Sequence, residues 1–200
     1  MVLLRRPTSA AIDAFIAEQL SHDFTYPAES VGATLKTPFL PPSGFTADRT
    51  RVQIGSGEKA FAAAKIGLER WRPYDLGWMQ ASPGNTPIVA GNGFATIVRY
   101  FGLWWVNACR IIAVIDTTTD VPVSRFGFAF GTLPSHAECG EERFMIEWNR
   151  QDDSVWYDIL AFSRPQHILP RLAVPLTRRL QKRFARDSAE GMKTLPMNNE

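Results

Sequence analysis

Residues 125–162 read RFGFAFGTLPSHAECGEERFMIEWNRQDDSVWYDILAF and predict consecutive β-strands. In the middle of this stretch, polar Arg143 and Glu147 alternate with apolar Phe144 and Ile146, as on a strand with one buried face. The sequence QDDS that follows is typical of a hairpin turn. Because no helix separates the strands, we expect them to pair antiparallel. The segments rich in aromatic and β-branched residues are 125–132, 142–149 and 154–162.

Outside this stretch, strands alternate with three amphipathic segments. Further strands are predicted at 49–55, 77–81, 93–100 and 107–116, with a short one near 31–35. Helices are predicted at 9–20, 58–71 and 166–186 from apolar residues at spacings of three and four. The last helix carries a continuous apolar stripe, so it can cover the concave face of a curved sheet.

The order of elements therefore predicts an α+β fold, in which a curved antiparallel sheet wraps a long C-terminal helix. This layout is similar to the helix-grip fold of START and Bet v 1-like proteins. We expect a single domain over 1–200, with an N-terminal helix and loop at 1–25. The helix-grip core is expected at 26–187 and a flexible tail at 188–200.

Composition restricts the class of protein. The 200 residues are 45% hydrophobic and 21% charged with a net charge of +2, which excludes disorder, collagen and coiled coil as the main state. Two cysteines are too few for a secreted disulfide scaffold. The N-terminus lacks the apolar stretch of a signal peptide, and the most apolar region is interrupted by Asn107 and Arg110. We expect a soluble cytoplasmic protein.

Several blocks of sequence resemble the domain of unknown function 1990 family. The most specific are FGFAFGTLPSHAECGEE at 126–142 and VWYDILAFSRP at 155–165. Tyr26 before VGAT, GSG at 55–57 and WVNACR at 105–110 fit as well. The resemblance covers about residues 26–186. It implies a START-like fold but supplies no activity, because the family has none that can be carried over.

The segment 131–142 holds the weak candidates for catalysis. His136, Glu138 and Glu142 are residue types that serve as general acids, general bases or metal ligands. The competing interpretation is a hairpin loop with solvated charges. The three histidines are far apart in sequence and no familiar metal spacing occurs, so we predict neither a metal nor a cofactor.

The candidates for ligand binding are polar or aromatic residues of the predicted strands and of the segment that follows the first helix. Asn107 and Arg110 interrupt an apolar strand, and their odd spacing directs them to opposite faces. Phe128 and Phe130 share one face, either in a filled aromatic core or beside an apolar pocket. The full predicted set is Tyr26, Asn107, Arg110, Phe128, Phe130, Trp156 and Arg164.

The C-terminal helix is basic: residues 164–186 contain seven Arg or Lys and no Asp or Glu. A solvated helix face explains this pattern, as does a weak contact with anionic membranes. We expect no nucleic-acid partner, because no recognition motif accompanies the charge. The residues of the membrane hypothesis are Arg178, Arg179, Lys182 and Arg183.

Three functions follow from these patterns. The leading hypothesis is a binder of a small hydrophobic or amphipathic molecule, held between the sheet and the C-terminal helix. The first alternative is a cofactor-free enzyme of the cyclase or hydrolase kind, which uses the same cavity. The second is a peripheral protein that docks on a membrane surface through the basic helix.

Overall fold

The computed structural model describes residues 1–118, 121–166 and 174–194, with the side chains of 174–177 not described. Eight strands and three α-helices lie in the described part of the chain. The strands are β1 (Val2–Leu3), β2 (Thr46–Ser56), β3 (Met79–Ser82), β4 (Gly93–Tyr100), β5 (Leu103–Thr117), β6 (Val123–Thr132), β7 (Glu138–Asn149) and β8 (Ser154–Pro165). The helices are α1 (Ser9–Gln19), α2 (Gly57–Glu69) and α3 (Val174–Lys193).

The strands form a single antiparallel sheet in the order β2-β8-β7-β6-β5-β4-β3, with β1 paired to β5. Strands β3 to β8 follow one another in sequence and in space, and β2 joins at the far edge beside β8. Register shifts on β2 (between Gln53 and Gly55) and β5 (between Ile111 and Ala113) bend the sheet. With α3 on the concave face, this confirms the predicted α+β helix-grip fold.

Helices α2 and α3 both pack on the concave face, in the largest apolar cluster. Phe61 and Leu68 of α2 and Phe184 and Met192 of α3 are buried there. The sheet contributes aromatic side chains, with the Phe128 and Phe144 rings 5.5 Å apart between centroids. This layer buries most of the apolar surface that holds the fold together.

The convex face is covered by the N-terminal part of the chain. Helix α1, capped by Thr8 whose Oγ1 accepts a hydrogen bond from the Ala11 amide, packs Ile12 and Ile16 against β4 and β5. The segment after α1 covers β7 and β8, with Tyr26 packed on Phe162. Both faces of the sheet are therefore covered over much of their area.

Four sequence-based expectations differ from the structure. The short strand near 31–35 is instead a 3₁₀ turn at Ala33–Leu35, in a segment whose polar groups bond to β7. The predicted loop at 131–142 is shorter, because β7 already begins at Glu138 and places Glu138, Glu141 and Glu142 in the sheet. The predicted flexible tail from 188 is wrong as far as Lys193, because α3 continues and buries Met192. The predicted helix start at 166 lies mostly outside the described residues, and Gln166 itself is not helical.

Candidate functional site

A cavity of about 380 Å³ lies between the concave face of the sheet and α3. It is lined by strands β2, β3, β4, β6, β7 and β8 on one side and by α3 on the other. Its wall is mainly apolar, as in most small-molecule sites. The main apolar lining residues are Trp78, Val98, Phe130, Ile159, Leu180 and Phe184. The space between sheet and helix is thus only partly filled by aromatic side chains.

Glu142 presents a carboxyl group to this cavity. Strand alternation on β7 puts Glu142 on the same face as Phe144, and its cross-strand neighbours are Phe130 and Ala161. Among the described residues, no donor is hydrogen-bonded to the Glu142 carboxyl. Burial, with a smaller contribution from the negative charge of Asp48, raises its pKa to about 8. The carboxyl is therefore mostly protonated at neutral pH.

Tyr74 adds a second polar group to the cavity wall. It ends the 3₁₀ turn Arg72–Tyr74 that follows α2, and its side chain is 1% exposed. Its hydroxyl has no hydrogen-bond partner in the described chain, although it lines the cavity. Burial, with a smaller contribution from Glu142, raises the pKa of the phenol well above 10, so it stays neutral. A buried hydroxyl without a partner is costly, so this group is available to a ligand.

His136 and Glu138 lie at the end of the cavity where β7 begins. The Glu138 backbone amide donates to His136 Nδ1 at 3.0 Å, which orients the ring. Burial lowers the pKa of His136 to about 4, so the ring is neutral at physiological pH. Burial raises the pKa of Glu138, and its Oε1 has no partner within the described residues. The structure therefore brings all three catalytic candidates, His136, Glu138 and Glu142, into one cavity.

Charged residues of β2 and α3 close one side of the cavity. Arg178 donates to the Asp48 carboxylate and, at 3.2 Å, to Gln181 Oε1. Gln181 in turn donates to Ser163 Oγ at 3.3 Å. This chain of contacts ties α3 to β2 and β8, next to the polar end of the cavity.

Three predicted ligand-binding residues lie on the concave side of the sheet. Phe130 lines the cavity. Phe128 lies deeper in the core, where its ring packs edge-on against Trp71 at 5.4 Å between centroids. Asn107 donates to Thr96 Oγ1 at 3.3 Å, and Thr96 rather than Asn107 is in the cavity wall.

The other four predicted ligand-binding residues lie on the convex side, away from the cavity. Arg110 stacks on Phe24 at 4.3 Å and lies on the opposite face from Asn107, as the odd spacing requires. Arg164 stacks on the ring of Phe45 at 4.6 Å. Trp156 is covered by the Arg51 guanidinium at 4.9 Å.

Tyr26, the last of these four, belongs to a polar cluster around Glu141. The Glu141 carboxylate accepts hydrogen bonds from Tyr26 Oη at 3.0 Å, the Gly32 amide at 2.7 Å and the Thr34 amide at 2.8 Å. Because each oxygen has donors, this buried charge is compensated. Sequence reasoning did not separate Glu141 from Glu142, although alternation along a strand would have placed them on opposite faces.

The four residues of the membrane hypothesis lie on α3 in unequal surroundings. Arg179 and Lys182 are exposed, whereas Arg178 pairs with Asp48 and Arg183 pairs with Asp187. Membrane contact through this face stays a prediction.

In the described ranges, no helix is long and apolar enough to cross a bilayer. In the same ranges, no group of three potential ligands is placed to hold a metal ion.

Comparison with known proteins identifies relatives along nearly the whole chain. Residues 27–191 match the model of the family described as Domain of unknown function (DUF1990). A UPF0548 protein of Dictyostelium discoideum is 33% identical over 96% of this chain and 94% of its own length. A UPF0548 protein of Deinococcus radiodurans is 33% identical over 94% of this chain and 96% of its own length.

Solved structures give more distant likenesses. A hypothetical protein from Helicobacter pylori has a TM-score of 0.48 at 13% identity, covering 86% of this chain and 95% of its own. Ara h 8.0201 has a TM-score of 0.46 at 10% identity, over 78% of this chain and 100% of its own. Norcoclaurine synthase from Thalictrum flavum has a TM-score of 0.43 at 8% identity, over 78% of this chain and 88% of its own.

Proposed function

Because the chain belongs to the Domain of unknown function (DUF1990) family, whose description names no activity, we propose a function from its cavity: it binds a small amphipathic molecule between the sheet and α3. The observation that carries the proposal is a cavity of about 380 Å³ with an apolar wall and a polar end. Pockets of this size and composition are typical of small-molecule sites. The apolar body of the ligand contacts the wall, and its polar group meets Glu142 and Tyr74.

Native mass spectrometry of the freshly purified protein tests the proposal. We expect a discrete adduct of low molecular mass, which solvent extraction then identifies. In parallel, the neutral fluorescent probe N-phenyl-1-naphthylamine should bind with enhanced emission, because the wall of the cavity is mainly apolar.

A matched pair of variants locates the binding. Ala161→Phe fills the cavity beside Glu142 and should abolish probe binding. Ala62→Phe makes the same change on the exposed side of α2 and should leave probe binding unaltered. Equal probe binding by wild type and Ala161→Phe would exclude this cavity as the site.

A second candidate function is acid–base catalysis without a cofactor in the same cavity. The observation that favours it is the opposite displacement of two pKa values, with Glu142 raised to about 8 and His136 lowered to about 4. Groups with displaced pKa values in one cavity are characteristic of catalytic sites. Incubation of the extracted ligand with wild type and with Glu142→Gln distinguishes the two functions. Conversion by the wild type alone indicates an enzyme, whereas unchanged ligand in both samples indicates a binder.

A further inference from the structure

The polar groups that face the cavity without a described partner carry oxygen atoms that can accept hydrogen bonds. Among the residues the structure describes, no donor is hydrogen-bonded to the Glu142 carboxyl, which lines the cavity, and Glu138 Oε1 is buried without a partner. The independent observation is Tyr74, whose side chain is 1% exposed and whose hydroxyl oxygen also lacks a partner. These acceptors belong to three different positions in the wall of one cavity.

The described charged groups around Glu142 do not neutralise it. From β2, Asp48 is paired with Arg178, and Arg49 donates to Asp158 at 2.7 Å on the other side of the sheet. Helix α3 adds Lys182, which is exposed to solvent.

The remaining titratable groups around Glu142 in the described part of the chain are uncharged or acidic. They are Tyr74 from the 3₁₀ turn, His136 from the β6–β7 connection and Glu138 from β7, with Tyr157 of β8 and Cys109 of β5 behind the wall. Glu142 is therefore without a counter-ion among the described residues, whereas Ser163 and the charge of Arg178 partly offset the effect of burial on the pKa of Glu138.

We infer that the ligand is a small amphipathic cation, a primary or secondary amine with an apolar body, whose ammonium group is bound by Glu142. The inference rests on the proposed binding function. An ammonium group donates to the ionised Glu142 carboxylate, to Glu138 Oε1 and to the hydroxyl oxygen of Tyr74, and charge-assisted hydrogen bonds to carboxylates are the strong ones. The apolar body of the amine then contacts Phe130 and Phe184.

Binding of a cation to this site is coupled to loss of a proton from Glu142. The free carboxyl, with a pKa near 8, is mostly protonated at pH 6 and mostly ionised at pH 9. If only the ionised form binds the ammonium group, the amine should bind about 90-fold more tightly at pH 9 than at pH 6. An alkyl amine stays cationic over this range, so the change reports on the protein.

Displacement of N-phenyl-1-naphthylamine by three ligands with the same alkyl chain tests the inference. Octylamine, octanol and octanoate differ only in the polar group. We expect octylamine to displace the probe best at pH 9 and to lose affinity towards pH 6, while octanol should show no such dependence. Titration calorimetry of octylamine at pH 7 in two buffers of different ionisation enthalpy should detect the release of about one proton.

Glu142→Gln should remove both the preference for octylamine and its pH dependence, while octanol still binds. Glu58→Gln, an equivalent change on the exposed side of α2, should leave both unaltered. If Glu142→Gln does not fold, the proton release by the wild type remains a decisive measurement.

The outcomes separate this inference from the proposed function. If neither the probe nor any of the three ligands binds, the binding function itself fails. If octanol or octanoate binds as tightly as octylamine at pH 9, or octylamine binds without proton release, the cavity is a binding site and the amine assignment is wrong.

Discussion

Replacing Glu142 by Gln should stabilise the folded protein, and the gain in stability should grow with pH. Burial of the carboxyl in the cavity wall raises its pKa from 4.5 to about 8. The folded state therefore binds this proton more tightly than the unfolded state does. By linkage, Glu142 makes folding less favourable as pH rises from about 4.5 to about 8. Gln has nearly the shape of the protonated carboxyl but cannot ionise.

The displaced pKa sets the size of the effect. Each pH unit between the two pKa values contributes about 1.4 kcal/mol, so at pH 7 the ionisation of Glu142 lowers the free energy of unfolding by up to about 3 kcal/mol. Water in the cavity reduces this figure, because it solvates part of the carboxylate. At pH 4.5 and below, the two proteins should differ little.

Urea unfolding of both proteins at several pH values between 4.5 and 8 measures the difference. Comparing the variant with the wild type at each pH cancels the other titrating groups. A difference in the free energy of unfolding that does not change with pH would refute the reasoning, because it would mean that Glu142 is solvated or paired in the folded protein.

Glu141→Gln is the matched control, one residue along the same strand but on the opposite face. Each Glu141 oxygen accepts hydrogen bonds, so an amide nitrogen in either place would oppose two donors. The variant should be destabilised by about 1–3 kcal/mol at pH 7. The same Glu→Gln substitution should thus raise the free energy of unfolding at position 142 and lower it at position 141.

The remaining predictions concern the framework. Asp158→Ala should lower the free energy of unfolding by about 3–5 kcal/mol, because it leaves the buried Arg143 guanidinium without its carboxylate partner; urea unfolding measures this. Gly127→Ala should cost about 3 kcal/mol or more, because a Cβ there meets the Phe144 carbonyl oxygen across the ladder. Gly191→Ala should instead raise the melting temperature slightly, because Gly191 lies in α3 with open space around it. Thermal unfolding monitored by circular dichroism compares the two glycine variants.

The fold class was predictable because its determinants are local. Alternation of polar and apolar residues in 125–162, the turn QDDS and the absence of intervening helices together require an antiparallel meander. The limits of the strands were less predictable. The glycine-containing segment before Arg143 is polar in sequence and resembles a loop, yet it pairs with β8 along its whole length and, from Glu141, with β6 as well.

The candidate site was only partly predictable. His136, Glu138, Glu142 and Phe130 were identified by residue type, and all four line the cavity. Tyr74 was missed, because nothing in the sequence around it indicates that the turn after α2 reaches the concave face.

The sequence by itself determined the alternating strand pattern from Glu142 onward, and the structure extends that strand back to Glu138, so that Glu141 and Glu142 lie on opposite faces. Only the tertiary structure decided which of them is compensated. The segment that follows α1 covers the convex face and supplies donors to Glu141, whereas α3 spans the concave face and leaves a cavity at Glu142. The physical reason is that alternation is a property of neighbouring residues, but the solvation of each face depends on parts of the chain more than a hundred positions away.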